Sequence, residues 1–334
     1  MMQEEASALG IHLRTLVEAP DGSAAQVTVD APVGGADEDV AVRALVDGRD
    51  GAQRPGAVDA VSRQAVGRAD ALTFEHEHQD LELLERLRTE GVSVQPGPRA
   101  LLLARDKLAM RRAMDEVGLP QPVWAEVAGD AGAMAEQIGA FADRHGWPVA
   151  QTVQDGGVCS EVVAPAPGLE EADAARAQRI GRTVAERFGV TGVLAVELFA
   201  VEAAGRPASL YVNELAMRPH NSGHWTQDGA VTSQFAQHMR AVLDLPLGSS
   251  EPTAPATVMV NVLGGRSEPG EDALARALAL DPQVRIHMYG KSRRPGRKLG
   301  HVNLVVDPTA DPAAAVAAAL ARARAVAAVL RGDD

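Results

Sequence analysis

An α/β protein of two or three domains is the fold class this sequence predicts, and three observations carry it. Helical periodicities alternate with short apolar runs, the pattern of a parallel sheet covered by helices. The 334 residues exceed what one compact core usually holds. A composition of 46% hydrophobic and 23% charged residues suits a globular chain and excludes general disorder. The formal charge of -13 repels nucleic acid and anionic membranes, so any anion site must be a local basic cluster. No apolar run reaches the ~18 residues of a membrane span, and no signal-peptide pattern opens the chain. Cys159, the sole cysteine, excludes an intrachain disulfide framework and suits a reducing cytoplasm.

From the start, MMQEEASALG reads as a helix closed by Gly10, and IHLRTLVEA as a strand. Asp21 to Arg68, rich in Gly, Ala, Asp and Pro, predicts loose loops around one helix, AVRALVDG. ADALTFEHE is a buried strand whose polar end, Phe74 to Glu77, sits where ligands of parallel sheets gather. HQDLELLERLRTEG sets leucines at 81, 83, 84 and 87 on one helical face and stops at Gly91. PGPRALLLARDKLAMRRAMDEVGLPQP reads as one helix, with Pro near its start and Gly-Leu-Pro at its end. Ala131 to His145 and EEADAARAQRIGRTVAERFG are two more helices. Between them VCSEVVAPAPG runs from a short strand into a Pro-rich turn. GVLAVELFAV and SLYVNELAM, joined by EAAGRPA, form an antiparallel hairpin. The tail supplies strands TVMVNVLG, QVRIHMYG and GHVNLVV, then an Ala-rich helix from Pro312 to Leu330.

Chemistry concentrates in a few places. Glu197 in VLAVELF and Glu214 in LYVNEL lie in apolar strands, where carboxylates are costly unless paired or bound to metal. With Asn213 they make a hard-oxygen set suited to Mg²⁺ carrying nucleotide phosphates. Two edge-strand glutamates facing solvent fit the same alternation. KSRRPGRKLGH, Lys291 to His301, gathers five basic residues around Pro295-Gly296 in an acidic protein. Lysines and forked arginines at a tight turn can cradle a phosphate; a solvated basic loop is the plainer alternative. Lys107 reads as an ordinary helical lysine. His220 and His224 have metal-pair spacing, but Pro219 and Gly223 argue for a loop. Cys159 has no triad-like surroundings and reads as a small buried hydrophobe.

Taken together, LTFEHE, RDKLAMR, EVVAPAPG, GVLAVELF, NELAMRPHNSGHWTQDGAVTSQFAQHMRAVLDLPLG and HMYGKSRRPGRKLGH resemble the 5-(carboxyamino)imidazole ribonucleotide synthases of the ATP-grasp superfamily. The stretches occur in the family's order and cover most of the chain from residue 70. The resemblance implies an ATP-grasp fold with an N-terminal Rossmann-like domain (1–97), an ATP-grasp domain (98–247) and a small C-terminal β-rich domain (248–334). It implies that ATP phosphorylates bicarbonate to carboxyphosphate, which carboxylates the amine of 5-aminoimidazole ribonucleotide. Glu197 and Glu214 would hold Mg²⁺ or Mn²⁺, with Asn213 and Lys107 on the nucleotide side. Glu75, Lys291, Arg297 and Lys298 would bind the ribonucleotide, and Arg218, His220 and Asn221 would line the junction of substrates. A cytoplasmic homodimer is also implied.

Two departures from the family pattern set further expectations. The family opens with a strand and a GGGQL turn, whereas Met1 here stands at the first helix. After FADRHGWPV the family continues into a lid with a nucleotide lysine and a GGYDG loop; here AQTVQDGGVCSEVV follows directly, so the lid is expected to be largely absent near 147–151. Another ATP-grasp ligase, such as a formate-dependent ribonucleotide transformylase, is the rival enzyme. A remnant that binds ribonucleotide without turnover is the rival from another class.

Overall fold

The computed structural model describes residues 1–48, 67–126, 133–134, 137, 154–155, 158–203, 206–265, 268–307 and 311–333. The expected helix at 131–145 falls almost wholly outside them, as does the lid junction at 147–151.

The N-terminal part begins with α1 (Met2–Ala8) and α2 (Asp39–Asp47). The expected strands here shrink to isolated parallel bridges, Arg14 with Asp30, Val17 with Val33 and Leu72 with Val94. Proline is the physical reason between the first two bridges: Pro32 lacks the N–H that would join them into one ladder. Helix α3 (Leu81–Thr89) starts where the Asp80 carboxylate accepts from the Glu82 and Leu83 amides. It buries Leu83, Leu84 and Leu87, each worth about 1.5–3 kcal/mol.

The single helix expected next is two, α4 (Pro98–Arg105) and α5 (Lys107–Glu116). Asp106 breaks it: its backbone is extended (φ -112, ψ 106) and its carboxylate caps α5 by accepting from the Ala109 amide at 2.9 Å. Lys107 is therefore the first residue of a helix, not an interior one.

Short β1 (Gln154–Asp155) and β2 (Val158–Cys159) pair antiparallel, followed by β3 (Glu161–Ala164) and α6 (Glu171–Phe188). The hairpin of β4 (Ala195–Ala203) and β5 (Arg206–Ala216) then packs on α6 and α4. One continuous core joins Val42, Val46, Leu84, Leu101, Met114, Val184 and Leu215. It therefore crosses the boundary drawn at residue 97.

Beyond the hairpin come α7 (Thr226–Gly229) and α8 (Gln234–Val242), then β6 (Ala256–Leu263), α9 (Ala273–Leu280), β7 (Arg285–Met288), β8 (Lys298–Val306) and α10 (Pro312–Arg331). The sheet order is β3-β6-β8-β7, with every pair antiparallel. β3 comes from the middle of the chain, so this sheet does not respect a division at residue 247. Alternation gives β6 and β8 two unlike faces. Val258, Val260, Val262, Val302, Leu304 and Val306 belong to a core with Ala319, Ala323, Val326 and Leu330 of α10. Asn261, His301 and Asn303 point the other way. By length and composition α10 could cross a bilayer. Here its inner face is packed on the sheet, and its arginines are ion-paired, Arg322 with Asp281 at 2.8 Å and Arg324 with Glu161 at 2.6 Å.

Gly192 lets the loop before β4 run against α8. Its φ is +108, and a Cβ there would lie 2.8 Å from the His238 ring. Gly192→Ala is expected to destabilise the protein by about 2–3 kcal/mol. A urea midpoint equal to that of the parent would contradict this.

Candidate active site

The two strand glutamates stand directly opposite each other in the hairpin ladder. Cross-strand partners share a face, so both carboxylates project to one side. The ladder slips after Glu197, since Leu198 pairs with Val212, and this makes Asn213 the extra residue of a β-bulge. The bulge brings consecutive residues to one target: the Asn213 amide donates to Glu197 Oε2 at 3.4 Å while Glu214 also faces it. Arg111 of α5 fastens the bulge, donating to the Val212 carbonyl at 2.6 Å and the Asn213 carbonyl at 3.1 Å.

The carboxylates are less buried than their apolar strands suggest, with Glu197 39% and Glu214 48% exposed. A two-stranded hairpin covers only one of its faces, and the glutamates occupy the other. The helix-opening Lys107 reaches Glu214 at 3.3 Å. Beside it a cleft of about 290 Å³ is lined by Lys107, Leu108, Arg111, Trp124 and Glu126. Among the described residues no three His, Cys, Asp or Glu side chains converge on a metal position. Two carboxylates and an amide oxygen remain a donor set that fits Mg²⁺ when phosphate oxygens supply the other ligands.

The segment after β5 closes one side of the site. Arg218 pairs with Glu77 at 2.7 Å, tying it to the polar end of the 70–77 stretch. Gln234 at the start of α8 clamps the loop by accepting from the His220 amide at 2.9 Å and donating to the His220 carbonyl at 2.8 Å. His220 Nε2 lies 3.7 Å from Glu197, and burial pushes its basicity down. The amide of Asn221 is buried with no oxygen or nitrogen partner, only the Cys159 thiol beside it. His220 and His224 share no ligand position: one turns Nδ1 to Ser222 at 2.8 Å, the other to Gln234 at 2.7 Å.

The basic cluster divides in two. Lys298, at the start of β8, has Arg218 and Glu197 as charged neighbours and the Cys159 thiol close by. Lys291 has Arg297, Glu75 and Lys298. Burial lowers the basicity of both lysines. Glu75 and Lys291 are thus within electrostatic reach although more than 200 positions apart. Cys159 is half-buried beside this site rather than in a core, and burial raises its thiol.

With that geometry in place, comparison with known proteins is informative. An ATP-grasp domain model matches residues 137–235, and a phosphoribosylaminoimidazole carboxylase C-terminal domain model matches 257–314. N5-carboxyaminoimidazole ribonucleotide synthase of Mycobacterium bovis is 39% identical over 91% of this chain and 80% of its own length. The chain belongs to the N5-carboxyaminoimidazole ribonucleotide synthase family. The synthetase from Thermus thermophilus superposes with a TM-score of 0.75 at 28% identity, covering 98% of this chain and 95% of that one. The Aspergillus clavatus synthase, solved with ADP and 5-aminoimidazole ribonucleotide, shares the fold, with a TM-score of 0.79 at 24% identity and coverage of 99% and 95%. Family membership makes the chain an ATP-grasp ligase by descent.

The alignment with the Mycobacterium bovis synthase runs to 369 positions, whereas 91% of 334 residues is about 304. Roughly 65 aligned positions therefore have no counterpart in this chain.

Sequence reasoning passed over a cluster beside this candidate site. His301 stacks between His287 at 4.6 Å and His224 at 5.0 Å, and its Nδ1 lies 2.7 Å from the Tyr289 hydroxyl. Polar residues at alternate positions in RIHM and HVNLV were the available signal. Burial holds three buried rings neutral, pushing His224 to about 3, His301 to about 2 and His238 of α8 to about 4. Each ring is protonated more readily in the unfolded chain, so stability is lost as pH falls through 6.5. Between pH 6.5 and 5 each is expected to cost roughly 2 kcal/mol. Urea titrations at the two pH values check this; equal midpoints would contradict it.

Proposed function

We propose that the chain carries out ATP- and bicarbonate-dependent carboxylation of 5-aminoimidazole ribonucleotide, at a rate limited by its shortened nucleotide side. The observation that carries the reading is the convergence of three groups of residues on one region: the Glu197–Asn213–Glu214 bulge, the Arg218–His220–Asn221 loop and the Lys291–Arg297–Lys298 turn. In this reading Glu197 and Glu214 would hold Mg²⁺, which when bound would supply charge neutralisation to the nucleotide phosphates. Lys107 steadies the nucleotide. The buried Asn221 amide supplies a donor and an acceptor to bicarbonate, and Lys298, with Glu197 and Arg218 as neighbours, meets the developing carboxyphosphate. An unpaired buried amide costs about 1–3 kcal/mol, which a ligand hydrogen bond offsets. Lys291 and Arg297 take the ribonucleotide's phosphate, and Glu75 meets its aminoimidazole.

Phosphate release from ATP that requires both bicarbonate and the ribonucleotide tests the proposal. Release with ribonucleotide omitted at the same rate would sink it. The roughly 65 aligned positions without counterpart favour a second reading, in which the chain binds ribonucleotide with no turnover. Cys159 supports a reducing, cytoplasmic setting, and a homodimer rests on the resemblance alone.

A further inference from the structure

Tyr289, just past β7, has no part in the reaction as read above. Its ring lies beneath the Lys291 ammonium, 5.1 Å from Nζ to the ring centre. Its hydroxyl meets His301 Nδ1 at 2.7 Å. Burial raises the hydroxyl and lowers the imidazole, so the tyrosine donates and the histidine accepts. His301 itself has little freedom to move. It is fully buried and stacked on both faces, between His287 and His224. Asp228 accepts from both His287 and Asn303 at 2.7 Å, and Gln234 holds His224 at 2.7 Å. A column of fixed rings therefore runs from the loop carrying Arg218 and His220 up to a lysine on an exposed turn.

That lysine needs such support. Its stem is flexible, and among its charged neighbours in the described residues Arg297 and Lys298 repel it while Glu75 attracts it. An aromatic face attracts a cation without neutralising it, leaving the charge available to a phosphate. We propose that Tyr289, anchored by His301, is a positioning residue that holds the Lys291 ammonium toward the ribonucleotide's phosphate against repulsion from Arg297 and Lys298. The inference rests on the reading of Lys291 as a phosphate ligand.

Calorimetry with 5-aminoimidazole ribonucleotide tests it through a double-mutant cycle on the full chain. Tyr289→Leu removes the ring face and is expected to weaken binding about tenfold. Tyr289→Phe keeps the ring but loses its anchor, and about a threefold loss is expected. In a Lys291→Met background neither change should alter affinity by more than about 1.5-fold, because the group they act through is gone. The same losses in both backgrounds would show a merely structural role and overturn the inference, as would no loss in either. Should Tyr289→Leu fail to fold, the nearly isosteric Tyr289→Phe carries the cycle alone. Unchanged affinity in Lys291→Met itself would overturn the phosphate-ligand reading, and this inference with it.

Discussion

Phosphate release from ATP by this chain, with bicarbonate and 5-aminoimidazole ribonucleotide present, is expected to run at least ~100-fold more slowly than in the Mycobacterium bovis relative assayed alongside. ATP-grasp catalysis places the nucleotide between two halves, and phosphoryl transfer depends on positioning and charge neutralisation more than on covalent help from the protein. The Glu197–Glu214 pair and Lys107 lie on one side. The sequence holds no GGYDG loop, and roughly 65 positions of the relative find no match. Two missing charge-assisted hydrogen bonds, each worth about 1.5–3 kcal/mol, are enough for a factor of ~100 or more. Phosphates facing water also interact more weakly with the charges that remain. Ribonucleotide affinity draws on other residues and should stay within about tenfold of the relative's. Equal turnover would refute the expectation, and a chimera that supplies the relative's unmatched residues should raise the rate.

The second large effect belongs to the bulge. Glu214→Gln, in this chain or in such a chimera, is expected to lower the remaining phosphate release about 100-fold or more. It should also remove most of the Mg²⁺ dependence of ADP binding. The substitution keeps shape and loses charge, leaving Lys107 without its 3.3 Å partner and the cation with one carboxylate. Because Glu214 is half-exposed, folding stability should barely move. A titration in which Mg²⁺ strengthens ADP binding equally in parent and variant would remove Glu214 from the metal site.

Local features were legible in the sequence where their cause was local. α3 was legible because leucines at helical spacing mark one buried face and Gly91 marks its end. The hairpin followed from two apolar runs around a Gly-Arg-Pro turn, and with it came the pairing of Glu197 and Glu214. The break at Asp106 was hidden because helical periodicity continues across it. Ser233 caps α8 inside a segment read mainly as family motif, so the helix went unnamed. Pairing of β3 with β6 could not be read, since nothing in EVVA specifies a partner about 100 residues away. The grouping of basic residues was half legible. Composition marked the cluster, but only the fold shows that Lys298 turns toward Glu197 while Lys291 keeps company with Glu75. The histidine stack joins rings from a loop and two strands: alternation marks a polar face on each strand, but not that the rings meet.

In β8 the residues at 301 and 303 face the polar loop, and those at 302, 304 and 306 face α10. One residue inserted or deleted within the strand would exchange the two sets, driving an imidazole and an amide against Ala323 and Val326 and presenting valines to Asp228. Neither side could accept what it received. The strand thus works as a parity check on the chain: an error of one in its count is rejected when the protein folds, before any substrate is met, whereas an error of two keeps every face and only takes His301 away from Tyr289.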